Sequence, residues 1–167
     1  MAKVKFHKKT LYLMRHATAN MDSDSDFERP LTATGERDAR HMGRWLHDKY
    51  PAPDQVVASP ALRAKTTASI MIEELHQQHP IHFEEELYQA SVRTFLEIVT
   101  SLSDDMECVI IVAHNPAITY LADYLTTEGL EGMRPGAIVG LGFELEKWCE
   151  ISQHDGALLF TMTPDQL

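Results

Sequence analysis

Three short apolar runs in this chain end on residues that carry chemistry, and two of them turn straight into a helix. Thr10 to Met14 is followed by Arg15-His16. Gln55 to Ser59 is followed by Pro60, and Cys108 to Ala113 by His114-Asn115-Pro116. Runs of this length bounded by polar residues read as buried strands. Between and after them, apolar residues recur at helical spacing: Ala39, Met42, Trp45 and Leu46; Ala64, Ala68, Met71 and Leu75; Phe95, Ile98, Val99 and Leu102; Ile118, Leu121, Ala122 and Leu125. Alternation of strand and helix predicts a layered α/β domain. Ile81 to Phe83 is a further short strand. Ala137 to Leu145 and Ala157 to Thr163 are expected as late strands, antiparallel at one side.

The expected architecture is therefore a three-layer α/β/α sandwich with a mostly parallel central sheet, built as one domain over residues 1–167. Residues 1–9 carry Lys3, Lys5, Lys8 and Lys9 and are read as a basic N-terminal tail. Thr34 is the expected cap of the first helix. The second helix is expected from about Pro60 to Gln77, with Ser59 as cap, and Asn115 is expected to cap the helix opening at Pro116.

Ligands of open α/β sheets sit beyond the carboxyl ends of the strands. That edge receives Arg15 and His16 from one strand, Arg63 from the first turn of a helix, and His114 from another strand. Arginine is a planar, permanently charged phosphate binder, and histidine is a nucleophile or proton carrier. Helix N-termini add free N–H groups and partial positive charge. Two arginines and two histidines converging there suit a dianionic phosphoryl group. No glycine-rich phosphate loop is present, and no Asp-rich metal set accompanies these motifs, so no cofactor is expected. The positive charge that phosphoryl transfer needs would come from the side chains themselves.

The net charge of −10 argues against nucleic acid or an anionic membrane as partner. The longest strand-like run is far short of a membrane span, and Met1 to Lys5 lacks a signal-peptide core, so a cytoplasmic protein is expected. Cys108 and Cys149 match no metal or redox spacing. His76, His79 and His82 straddle a helix end at Pro80 and are read as helix-terminal rather than as zinc ligands. The alternating acids Asp22, Asp24, Asp26 and Glu28 lack the glycine and distal glutamate of a calcium loop and are read as a mobile rim.

Leu13-Met14-Arg15-His16, Arg29-Pro30-Leu31-Thr32 with Gly35, Ser59-Pro60-Ala61-Leu62-Arg63-Ala64, Val112-Ala113-His114-Asn115-Pro116 and Thr161-Met162-Thr163-Pro164 together resemble the histidine phosphatase superfamily. The resemblance is strongest to its SixA-type phosphohistidine phosphatase branch and spans nearly the whole chain after residue 10. It implies a phosphoglycerate mutase-like fold. It implies that His16 attacks phosphorus and becomes phosphohistidine, that Arg15, Arg63 and His114 hold the phosphoryl oxygens, and that a backbone N–H near Ala137 touches the phosphate. Ala17 stands where the family has glycine, which is compatible only with backbone angles open to any residue. The family's proton donor falls near Glu84-Glu85-Glu86-Leu87, and Glu86 is its best match.

Imidazole leaves readily near neutral pH because its basic nitrogen has a pKa of about 6.5, whereas an alkoxide needs an acid. A poor or missing acid therefore favours phosphohistidine. The short connections around the first motif and from Leu87 to Glu107 leave no room for large lids, so the site is expected to be open to a phosphohistidine on a folded signalling or phosphotransfer domain. The competing readings are a phosphatase for small phosphate esters and a phosphate-binding module without activity.

Overall fold

The computed structural model describes residues 7–167. Ten elements follow in order: β1 Lys9–Arg15, α1 Ala33–Lys49, β2 Gln55–Ala58, α2 Leu62–Glu74, β3 His82–Phe83, α3 Val92–Thr100, β4 Cys108–Ala113, α4 Ala117–Leu125, β5 Ile138–Phe143 and β6 Ala157–Met162. The strands form one sheet in the order β3-β2-β4-β1-β5-β6. β3, β2, β4 and β1 pair in parallel, while β5 runs antiparallel to both β1 and β6. The expected mostly parallel sandwich is thus a mixed six-stranded sheet with helices on both faces.

Strand alternation sorts the core into two layers. Leu11, Leu13, Val109, Ile111, Val139 and Leu141 face one side, where Phe95 and Val99 of α3 and Ile118, Leu121 and Leu125 of α4 cover them. Tyr12, Met14, Val56, Ala58, Ile110 and Val112 face the other, against Met42 and Leu46 of α1 and Ala64, Ala68 and Met71 of α2. β1 and β4 lie at the centre and are apolar on both faces, as buried parallel strands must be.

The helix starts differ from expectation, each for a local reason. α1 is capped by Thr32, not Thr34. The N–H of Thr32 donates to the Thr18 carbonyl at 2.9 Å, which holds Thr32 extended, and its Oγ1 accepts from the Gly35 N–H at 3.0 Å. α2 begins at Leu62, because the Leu62 N–H donates to the Phe27 carbonyl at 2.9 Å and leaves Ser59 free for another partner. It stops at Glu74, and His76 just beyond takes a left-handed φ of 54°. α4 begins at Ala117: Asn115 Oδ1 accepts from the Thr119 hydroxyl at 2.6 Å and Nδ2 donates to the Met133 carbonyl at 2.9 Å, so the side chain caps no backbone N–H of the helix.

The N-terminal tail also needs revision where it is described. Lys9 belongs to β1, is 3% exposed, and its Nζ donates to the carbonyls of Asp104 at 2.6 Å and Met106 at 3.2 Å. Its ammonium is therefore held by backbone acceptors rather than solvated. Lys3 and Lys5 lie outside the described residues. No described helix is long and apolar enough to cross a membrane.

Gly35 is where the loop after β1 meets α1. A Cβ there would lie 2.2 Å from the Thr18 carbonyl oxygen, a backbone atom that already accepts from Thr32. In a helix, alanine is ordinarily favoured over glycine by about 1 kcal/mol. Overpacking against a fixed acceptor costs about 1–3 kcal/mol or more, so the clash wins. Gly35→Ala should lower the urea midpoint of unfolding by an amount equivalent to about 1–2 kcal/mol, measured by equilibrium denaturation.

Candidate active site

Parallel pairing sets Arg15 of β1 opposite Ala113 of β4. The His16 N–H donates to the Ala113 carbonyl at 3.0 Å, so the two chains leave the sheet together. The rings of His16 and His114 come to rest with centroids 5.2 Å apart. β2 pairs with the other edge of β4, and the turn after it brings Arg63 in from the first turn of α2. Arg63 Nε donates to His16 Nε2 at 3.3 Å.

The hydrogen bonds settle the state of His16. Its Nδ1 lies 2.8 Å from the Ala17 carbonyl, which can only accept, so the proton sits on Nδ1. The Nε2 lone pair therefore points at the Arg63 guanidinium. Burial pushes the His16 pKa down to about 4, helped by the charges of Arg63 and Arg15 and opposed by the bond to Ala17. Burial likewise takes His114 down to about 3, with His16 and Arg63 adding to the effect. Both rings are neutral at physiological pH, which leaves His16 with a free lone pair.

The remaining contacts orient these groups. Ser59 Oγ lies 2.7 Å from His114 Nε2 and accepts from the Ala61 N–H at 3.3 Å. His114 Nδ1 and Arg15 Nε are buried without a protein partner. Arg15 Nη1 donates to the Met133 carbonyl at 3.0 Å, and the same carbonyl takes Asn115 Nδ2 at 2.9 Å. Thr67 Oγ1 donates to the Arg63 carbonyl at 2.7 Å and accepts from the Ala17 N–H at 3.1 Å. Ala17 is buried, and it is not among the non-glycine residues with positive φ, so the alanine fits its backbone without a glycine-only conformation.

Two expected participants make contacts of their own. The Ala137 N–H donates to the Arg134 carbonyl at 3.0 Å and so closes a turn instead of facing the two histidines. The Ala137 carbonyl accepts from the Arg15 N–H at 3.1 Å, so this residue seats the arginine. Glu86 is exposed in a 3₁₀ turn and lines a cavity of about 390 Å³ with Gln55, Glu97 and Ser101.

The carboxyl that does reach the cluster is Asp26, from the loop read as a mobile rim. That loop is tied down: Asn20 N–H donates to the Pro30 carbonyl at 2.8 Å, and Phe27 binds the start of α2. Asp26 accepts from Arg63 Nη2 at 3.2 Å, from Arg29 Nη1 at 3.2 Å and from the Tyr88 hydroxyl at 2.6 Å. The Tyr88 hydrogen bond, with those of the arginines, holds its pKa down to about 2. A loop acid eleven residues beyond the end of β1 has no periodic signal. Only its closeness to the Arg29-Pro30 motif could have drawn attention to Asp26; Ser59 was marked as a helix cap and not as a partner of His114, and nothing marked Tyr88.

The constellation can bind a dianion and offer it an unprotonated nitrogen. Its likeness to known proteins is specific. A model of the histidine phosphatase superfamily, branch 1, matches residues 11–95. The chain belongs to that superfamily. Phosphohistidine phosphatase SixA of Escherichia coli is 30% identical over 115 residues, covering 66% of this chain and 70% of that protein. An uncharacterised protein of Mycobacterium leprae is 32% identical over 123 residues, covering 70% and 73%. The structure of the protein histidine phosphatase SixA complexed with tungstate superposes with a TM-score of 0.81 at 25% identity, over 94% of this chain and 98% of that one. The sandwich is the phosphoglycerate mutase-like fold of the histidine phosphatases.

The neutral histidines couple the site to stability. Their folded pKa values lie below the unfolded value of about 6.5. Below pH 6.5 the unfolded chain therefore binds more protons than the fold, so stability is full above that pH and declines as pH falls towards 4. Urea unfolding should show a loss on the order of a few kcal/mol between pH 7 and pH 4. His114→Gln should make that pH slope shallower, and ring signals of His16 and His114 in NMR titrations should stay neutral to below pH 5.

Proposed function

We propose that this protein is a metal-independent phosphatase that hydrolyses phosphohistidine on a signalling or phosphotransfer domain, through a phosphohistidine intermediate on His16. In this reading His16 Nε2 attacks phosphorus and the bond to the leaving nitrogen breaks. Arg15, Arg63 and the His114 Nδ1 edge hold the phosphoryl oxygens and stabilise the transition-state charge. Ser59, by donating to His114 Nε2, would leave the ring proton on Nδ1 where an oxygen can take it. Water then attacks the phosphoenzyme and returns His16 to its neutral state.

The observation that carries the substrate class is the state of Asp26. It is the carboxyl in contact with Arg63, and with its pKa near 2 it is ionised at physiological pH. An ionised carboxylate cannot protonate an alkoxide, so the site is poorly equipped for ordinary phosphate esters. Imidazole needs no such acid. The similarity to proteins named as phosphohistidine phosphatases supports the same choice.

Phosphate release from a histidine-phosphorylated transfer domain and from a small alkyl phosphate, followed side by side, tests the reading. The phosphohistidine should be consumed faster, and His16→Ala should reduce its turnover by at least about a thousandfold, the scale seen when a nucleophile is removed. Rapid quenching in base should trap an acid-labile phosphoryl group on His16. Preference for the alkyl phosphate would overturn the assignment.

A further inference from the structure

Arg63 lies between two groups. Its Nε faces His16, while Nη1 donates to the Asp26 carbonyl at 2.7 Å and Nη2 to the Asp26 carboxylate at 3.2 Å. A phosphoryl group lying along that guanidinium has His16 towards one end and Asp26 towards the other. Displacement at phosphorus places attacking and leaving atoms roughly in line. For a phosphoryl group bound along the guanidinium and attacked by His16, the leaving group would emerge on the side where Asp26 stands.

That side is built for an aromatic ring. Phe27 and Tyr88 meet edge to face with centroids 5.1 Å apart, and Tyr88 meets the His114 ring at 5.8 Å, also edge to face. Asp26 sits at the rim of this wall, with its side chain 55% exposed and thus open to an incoming substrate. A carboxylate has about four acceptor positions. Arg63 and Tyr88 both use Oδ2, and Arg29 uses Oδ1, which keeps one position for a further donor.

Building on the phosphohistidine reading, we propose that Asp26 recognises the leaving imidazole by accepting a hydrogen bond from its ring N–H, the nitrogen not bonded to phosphorus. The chemical consequence is specific. If that nitrogen carries a proton, the ring departs as neutral imidazole; if it does not, it must depart as the far more basic imidazolide. A carboxylate bonded to a ring N–H stabilises the imidazolium, as the aspartate of a catalytic triad does for its histidine. The substrate ring is thereby kept in the form that leaves well, at pH values where solvent alone would deprotonate it. In the step itself the His16 Nε2 lone pair forms the new N–P bond. The substrate N–P bond breaks with its electron pair passing to the departing nitrogen. The N–H stays bonded to Asp26, so no proton is transferred, and the ring leaves uncharged. The groups that set the charge around Asp26 are Arg63 from α2, Arg29 from its own loop, Tyr88 from the connection before α3, and the neutral His114 ring beyond Tyr88.

Asp26→Asn keeps the side chain's shape and removes its charge. The test is kcat/KM for a histidine-phosphorylated domain and for p-nitrophenyl phosphate, each at pH 6 and pH 8. With the domain, the variant should lose about ten- to a hundredfold at pH 8, the worth of a hydrogen bond to a charged group, and much less at pH 6, where solvent protonates a ring of pKa about 6.5. With the aryl phosphate, whose leaving group has no ring N–H, any loss should be the same at both pH values. Asp26→Ser, which cannot mimic the amide, should give the same pattern, so the result does not hang on one variant folding. Equal losses at both pH values and on both substrates would mean that Asp26 only holds Arg63, and would overturn this inference alone. Failure of the wild-type protein to turn over the phosphohistidine would overturn the substrate reading and this inference with it.

Discussion

The parallel pairing of β1 with β4 is the contact on which the candidate site rests. It fixes Arg15 beside Ala113, and the bond from His16 N–H to the Ala113 carbonyl extends that register one residue past the sheet. A slip of one residue would send His16 to the opposite face. The register is protected because both strands are buried on both faces. Leu11 and Leu13 belong to one half of the core, and Tyr12 and Met14 to the other, so any shift exposes apolar side chains to the wrong layer. The core thus fixes where the two histidines leave the sheet.

Electrostatics follows from that placement. Two arginines and two histidines crowded at a half-buried edge cannot all be cationic, and the groups that yield are the histidines. Arginine keeps its charge under almost any conditions, so burial is answered by the imidazoles. The mixture that results has fixed cations for an anion and a neutral nitrogen for attack. Arg15 Nε and His114 Nδ1 are buried without a protein partner, and in the proposed mechanism they receive oxygens of the phosphoryl group. Buried polar groups without partners are costly, and sites that await a ligand are where a fold tolerates them.

The loop from Asn20 to Arg29 shows how far composition can mislead. Its acids and serines read as a solvated rim, and most of them are exposed. Yet Asp26 bridges Arg63, Arg29 and Tyr88, and Phe27 closes the first turn of α2. A polar loop becomes ordered when its donors and acceptors find fixed partners, and here those partners come from three separate stretches of chain.

The residues that end strands were legible without coordinates. Apolar runs bounded by polar residues announce strands, and parallel strands end at one sheet edge, so Arg15, His16, Arg63 and His114 were expected on that edge; that they are neighbours follows from the adjacency of β2, β4 and β1, which only the assembled sheet decides. The helical faces were legible too, since periodicity reflects burial on one side. Cap positions were not: Thr32, Ala61 and Pro116 stand where Thr34, Ser59 and Asn115 were expected, because the Thr18 and Phe27 carbonyls hold the N–H groups of Thr32 and Leu62, and Asn115 Oδ1 is taken by the Thr119 hydroxyl. The same reason separates Glu86 from Asp26. Both are acids in polar loops, indistinguishable by pattern, and only the folding of remote segments onto one another brings Asp26 to Arg63 and leaves Glu86 in an exposed turn. Periodic burial is written locally along a chain, whereas a hydrogen bond between residues 26, 63 and 88 exists only after the sheet has assembled.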